Sequence, residues 1–281
     1  MIIWLASYPK SGNTWVRSMV SSLIYSKDGI FNISLLEKIS QFPLRKHFES
    51  LTNEYQNIHE IKKNWISAQE IINLNNKINF FKTHNSNCKI DNYVFTNKLN
   101  TAATIYVVRD PRNVVTSISN HFTLNIDTAK NFLNSPSILG VDKNKSEKQN
   151  KIITLLGSWK DHYISWTLNN KKILILKYED LLSDINNEIL KIINFLKEFI
   201  EIDANAEKIK NIIATTAFEN LKNLEKKHDF LESPRDKNDK KVNKNFFYLG
   251  KENKWEKFLD DKNRLIIEKE LKDLMTELNY L

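Results

Sequence analysis

Four short apolar runs punctuate an otherwise polar chain rich in lysine and asparagine. They are residues 2–6 (Ile-Ile-Trp-Leu-Ala) and the stretches around Phe80, Val107 and Ile175. Runs of this length without alternation predict strands buried on both faces. Between and after them, helices are predicted over 14–25, 112–121, 151–169, 187–199 and 204–215. A final helix over 261–278 repeats apolar residues at Leu265, Ile267, Leu271, Leu274 and Leu278. Alternating strands and helices predict an α/β fold, a mostly parallel sheet covered by helices on both faces. The polar stretch 29–76 reads as helical or irregular, with Phe42, Phe48, Tyr55 and Trp65 as its apolar content. No internal repeat or domain boundary is visible, so residues 1–281 are expected to form one domain.

Three of the strand ends carry chemistry. The first run enters Ser7-Tyr8-Pro9-Lys10-Ser11-Gly12-Asn13-Thr14-Trp15, a tight loop that opens into a helix. The first amides of a helix have no internal partners and its dipole favours negative charge there, so this is an anion site in waiting. Gly12 lets the backbone close on a phosphate, Lys10 adds a mobile cation, and Asn13 and Thr14 add polar groups. The lysine precedes the glycine, unlike the nucleotide triphosphatase loop, where it follows. A second strand, loop and helix begins at Ile105: Arg109 sits at the strand end, Pro111 suits a first helical turn, and Ser117 follows Arg109 by eight residues. The run before Lys82-Thr83-His84 is the third. A parallel sheet brings such ends to one edge, where sites form. The other five histidines, at 47, 59, 121, 162 and 228, have no comparable setting in the sequence.

The loop with lysine before glycine and tryptophan behind resembles the 5′-phosphosulfate loop of the sulfotransferases that use 3′-phosphoadenosine 5′-phosphosulfate (PAPS). The segment from Arg109 to Ser117 resembles the same family's 3′-phosphate motif, and Lys82-Thr83-His84 the strand end that supplies its catalytic histidine. The likeness continues through the segment 157–166, then Tyr178-Glu179-Asp180, Thr216-Ala217-Phe218, and 246–250 with Trp255. It implies His84 as base, Lys10 on the bridging oxygen and Lys82 on the transferring group. It also implies backbone amides of Ser11, Gly12, Asn13 and Thr14 on the 5′-phosphate, Trp15 near the adenine, and Arg109 with Ser117 on the 3′-phosphate. Tyr178 falls at a nucleotide-contacting position, and Thr216 and Phe218 flank the adenine. Gly250 keeps the glycine of the family's Arg-Lys-Gly, but Tyr248 and Leu249 replace its two cations. The 3′-phosphate would then rest mainly on Arg109 and Ser117, unless Lys251, Lys254 or Arg235 compensates.

On this reading PAPS is the co-substrate and 3′-phosphoadenosine 5′-phosphate (PAP) the product, and no metal is required. The acceptor would be a small molecule, carbohydrate or lipid carrying a hydroxyl or amine. The base would titrate around pH ~6.5 before its surroundings act on it. Two other readings stay open: an ATP-dependent phosphotransferase on a related loop, and a nucleotide-binding protein without catalysis.

The chain of 281 residues, 41% hydrophobic, can bury a large α/β core. A formal charge of +8 suits an anionic ligand, but the lysines are spread along the chain and no nucleic-acid partner is expected. A single cysteine, Cys88, excludes an internal disulfide. No run approaches the ~18 apolar residues of a membrane span, and no leader is visible, so a cytoplasmic protein is expected. The dimer motif of animal cytosolic members is not recognisable around 257–268, which leaves the oligomeric state open. Two polar stretches, 122–149 and 228–245, have the length of covering loops.

Overall fold

The first strand, β1 (Ile2–Ser7), is buried at every position, as its unbroken apolar run requires. The computed structural model describes residues 1–140, 152–168, 170, 172–227, 230, 232–233 and 245–281. In it β1 pairs with β2 (Asn79–Thr83) on one side and β3 (Thr101–Val108) on the other. Strand β4 (Ile173–Lys177) extends the sheet beyond β3, giving the order β2-β1-β3-β4 with every pairing parallel. Ala6 lies opposite both Thr83 and Tyr106, and Val108 opposite Lys177, so the four strands end at one edge.

Alternation along β1 divides the core into two layers. Ile2, Trp4 and Ala6 pack with Phe42, Phe48, Trp65, Phe95 and Trp166 on one face. Ile3 and Leu5 pack on the other with Val16, Met19 and Val20 of helix α1 (Asn13–Tyr25) and with Ile189, Ile192 and Ile193 of the helix Ile185–Leu196. Trp4 is a hub: its ring lies 5.5 Å from Phe42, 5.6 Å from Phe95 and 6.1 Å from Trp166. Burying each such side chain is worth ~1.5–3 kcal/mol. The stretch 29–76 therefore serves the core through its aromatics, though Tyr55 is only partly buried against it. Its regular parts are the helices Ile58–Lys63 and Trp65–Asn73 and short 3-10 turns.

Four expectations change. Residues 151–169 do not form one helix: Thr154–Gly157 is a strand, paired antiparallel with Ser137–Leu139, and the helix is Trp159–Thr167. The cause is local, because Gly157 takes the left-handed φ of 69° and Ser158 caps the helix by accepting from the Asp161 amide. In 122–149, Asn125 caps a helix over Ile126–Asn134 that buries Ala129 and Leu133, so this part is core. Residues 141–149 and most of 228–245, Arg235 among them, lie outside the described residues. The C-terminal helix breaks at Leu271 into Asp261–Glu270 and Lys272–Glu277. Met275 takes a core position there, while Leu265 is 55% exposed.

The second motif helix, α2 (Pro111–Phe122), is capped by Asp110, whose carboxylate accepts from the Arg112 amide at 2.9 Å. Arg112 also reaches Glu268 at 2.7 Å and the Tyr280 carbonyl at 2.8 Å, which docks the C-terminal helices on α2.

Candidate active site

The first loop leaves β1 and turns through two left-handed residues, Lys10 (φ 68°) and Gly12 (φ 102°). A β-carbon at Gly12 would stand 2.6 Å from Cδ2 of Tyr178, so both backbone shape and space require glycine there. The side chain of Asn13 is turned inward, donating to the Leu5 carbonyl at 2.9 Å and to Ser7 Oγ at 3.2 Å. It ties the loop to the strand end. Among the described residues the α1 N-terminus receives no side-chain cap, whereas the N-termini of Pro111–Phe122, Trp159–Thr167 and Ala206–Thr215 are each capped. Its first amides are left for another acceptor.

His84 follows β2 directly. Its Nδ1 lies 2.8 Å from the Ser7 carbonyl, which can only accept, so Nδ1 carries the proton and Nε2 keeps its lone pair. Burial, with repulsion from Lys82 second, pulls the imidazole pKa down to about 3, which keeps the ring neutral. The next residues are pinned. Asn85 accepts from the Leu155 amide at 2.8 Å, and its carbonyl accepts from the indole of Trp166 at 3.0 Å. His162, fully buried, donates from Nε2 to the His84 carbonyl at 3.1 Å and accepts at Nδ1 from the Tyr106 hydroxyl at 2.8 Å. The histidine without a setting in the sequence thus supports the backbone of the candidate base.

Arg109 is buried at the end of β3, with its guanidinium 4.1 Å over the Tyr178 ring and one nitrogen donating to the Lys10 carbonyl at 3.2 Å. Its Nε is buried without a partner among the described residues. Ser117 lies half-buried two turns into α2. Tyr178 also meets Trp15 edge-on at 5.7 Å, joining the Lys10–Trp15 loop to the Arg109 strand end through one aromatic residue. Trp15 and Phe218 pack against the same apolar cluster, around Phe31, Leu221 and Phe247. Thr216 is fully buried and its hydroxyl donates to the Ile212 carbonyl at 2.7 Å. Gly250 (φ 56°) lies under the Phe218 ring, which a β-carbon would meet at 2.7 Å. Tyr248 is 49% exposed and Leu249 half-buried. Their segment is clipped to α2 by Asn253, which accepts from Thr116 at 2.8 Å and donates to the Asn113 carbonyl at 3.0 Å.

Positive charge is crowded at this edge. Burial, then Arg109, lowers the Lys10 pKa to about 7. Its Nζ lies 3.3 Å from Nδ1 of His121 and 4.0 Å over the Phe246 ring. Burial likewise lowers Lys82, with Arg17 repelling it. Lys82 and Thr14 both contact one carboxylate, that of Glu232, at 2.9 and 3.1 Å. Sequence reasoning passed over Arg17, His121, His162 and Glu232. Arg17 alone had a signal, a cation one turn beyond Thr14 on the helix that opens at the loop. His121 and His162 lie on helices the sequence does predict, but nothing in the pattern shows that their rings turn toward the site, and Glu232 lies in a segment whose position no motif fixes.

A cationic strand-loop-helix cradle lies at the carboxyl edge of a parallel sheet, with a neutral histidine beside it, an arrangement suited to an anionic ligand. The sulfotransferase domain matches residues 2–279, and the chain belongs to that family. It is 29% identical over 229 residues to rat Sulfotransferase 1E1, covering 78% of this chain and 65% of that one. It is 25% identical over 264 residues to Flavonol 3-sulfotransferase of Flaveria bidentis, covering 92% and 77%. The chain spans about 65% of the length of the mammalian relatives it matches. The fold is that of mouse sulfotransferase SULT7A1 complexed with PAP, with a TM-score of 0.59 at 20% identity, covering 98% of this chain and 83% of that one. Retinol dehydratase in complex with androsterone and PAP gives the same TM-score, at 19% identity over 98% and 80%.

Proposed function

We propose that this chain, acting as one domain over residues 1–281 in the cytoplasm, transfers a sulfuryl group from PAPS. The acceptor is a hydroxyl or amine of a small molecule, carbohydrate or lipid, and His84 is the base. One observation carries the reading: His84 donates from Nδ1 to the Ser7 carbonyl, which leaves Nε2 as a proton acceptor, with Lys82 near it and the helix after the Ser7 loop uncapped by any described side chain. The residues fit the nucleotide, since among the described residues nothing caps the α1 N-terminus and the buried Arg109 Nε lacks a partner.

When bound, PAPS supplies a sulfuryl group activated by its link to the 5′-phosphate. The amides from Ser11 to Thr14 would hold the 5′ end, and Arg109 with Ser117 the 3′-phosphate. Trp15 and Phe218 would offer an apolar wall to the adenine, with Tyr178 bracing Arg109 and Gly12. Thr216, whose hydroxyl is engaged in its own helix, would contribute its surface. Leu249 and Tyr248 bring no charge, and Gly250 lets their segment approach Phe218. His84 Nε2 takes the acceptor's proton. Lys10 neutralises charge on the departing phosphate, and Lys82 steadies the transferring group. Countercharge comes from these side chains, with no metal assigned.

Because His84 is neutral down to about pH 3, kcat/KM should lack the rise near pH 6.5 that an unperturbed imidazole gives. Transfer of labelled sulfate to a panel of phenols, alcohols, amines and sugars tests the assignment. His84→Ala should lose ~10²–10⁴-fold in turnover while binding PAP about as well as the wild type. PAP should raise the melting temperature more than ATP with magnesium does. The opposite order would favour a phosphotransferase, and an active His84→Ala protein would place the base elsewhere.

A further inference from the structure

Glu232 reaches the cradle from far along the chain. Its Oε1 lies 2.7 Å from a guanidinium nitrogen of Arg17. Its Oε2 lies 2.9 Å from Lys82 Nζ and 3.1 Å from Thr14 Oγ1, which donates to it. The Arg17 and Lys82 side chains are 5% and 6% exposed. Burial pushes the Glu232 pKa up, but Arg17 and Lys82 outweigh it and hold the carboxylate ionised, far below its usual range. Arg17 keeps a second nitrogen, Nε, buried with no partner among the described residues.

The three ligands have a common origin. Thr14 and Arg17 lie one turn apart on α1, and Lys82 is on β2, so all are fixed to the sheet and its first helix. Glu232 belongs to neither. Two buried cations that share one carboxylate repel each other strongly without it, so this position needs an anion at all times. An oxyanion offers the same acceptors as a carboxylate and meets guanidinium, ammonium and hydroxyl equally well. Thr14 is in the turn assigned to the 5′-phosphate and Lys82 is assigned to the transferring group, so Oε2 spans both.

Resting on the function proposed above, we infer that Arg17, Lys82 and Thr14 form one oxyanion subsite for the phosphosulfate end of the donor, which Glu232 fills in the free protein as a tethered competitor. Donor entry exchanges one anion for another, and the carboxylate returns as product leaves. Arg17 is thereby a binding residue, and Glu232 sets both affinity and release.

Calorimetric titration with PAP tests this. Glu232→Gln removes the competing charge and keeps its shape, and PAP should bind at least about tenfold tighter. In that background Arg17→Gln should lose about tenfold, and in the wild-type background less, since it also loosens Glu232. Without ligand Glu232→Gln should melt lower, with two cations unpaired, and PAP should raise its melting temperature more than that of the wild type. Equal or weaker PAP binding by folded Glu232→Gln would overturn the inference and make Glu232 a permanent counterion. Should that variant not fold, Glu232→Asp, with a carboxylate one methylene shorter, should tighten PAP to a smaller degree; weakening would overturn it equally. If wild type and variant both bind ATP-magnesium and neither binds PAP, the nucleotide assignment fails instead.

Discussion

On the function proposed here, Lys10 should make nucleotide binding a proton-coupled event. In the free protein its pKa is lowered to about 7 by burial and then by Arg109, so at pH 8 only about a tenth of the molecules carry the charge. A bound nucleotide brings several negative charges and should return Lys10 toward the ordinary lysine value of ~10.4. Between these two values the complex holds a proton that the free protein has released. Binding therefore takes up a proton, and affinity falls as pH rises. The ceiling is ~10-fold in Kd per pH unit above 7, equivalent to ~1.4 kcal/mol per unit, and solvent access at the loop reduces it to ~3–10-fold. PAP itself does not interfere, because phosphate monoesters lose their second proton near pH ~6. Titrating PAP at pH 8 in two buffers of different ionisation enthalpy reads the proton directly. Uptake should approach ~0.9 proton per PAP in the wild type and be close to zero in Lys10→Met. Wild-type binding with no proton uptake and a flat Kd from pH 7 to 9 would refute the coupling, and with it the placement of Lys10 beside the nucleotide charge.

Two further outcomes are expected. Gly12→Ala should destabilise the protein by ~2–3 kcal/mol in denaturant melts and weaken PAP as well, because a β-carbon there meets both a left-handed φ of 102° and the Tyr178 ring at 2.6 Å. Tyr248→Arg restores one missing cation on an exposed side chain, so PAP should tighten by about 1 kcal/mol while adenosine 5′-phosphate, which lacks the 3′ group, is unchanged; an equal gain for both ligands would detach Tyr248 from the 3′-phosphate.

Much of this site could be read from the chain because its parts are local. A strand, a tight loop and a helix start are each defined by a few consecutive residues, so Gly12, Arg109 and His84 fall where pattern reasoning puts them. Where the reading missed, one residue's backbone choice usually outweighed the apolar pattern. Gly157 and its capping Ser158 cut the expected helix over 151–169 and left a strand before it, while Asn125 started a helix in what looked like cover. The electrostatic half of the site is different in kind. The Glu232 carboxylate, the His121 ring and the His162 ring reach the cradle only through tertiary packing, with sequence separations of 150 residues from Lys82, 111 from Lys10 and 78 from His84. No spacing rule foretells such pairs, yet they decide which protons are held: the same imidazole that a sequence would assign to pH ~6.5 stays neutral here because of burial and Lys82. A motif therefore specifies which groups can do the chemistry, while the pH at which they do it is set by neighbours that the motif does not contain.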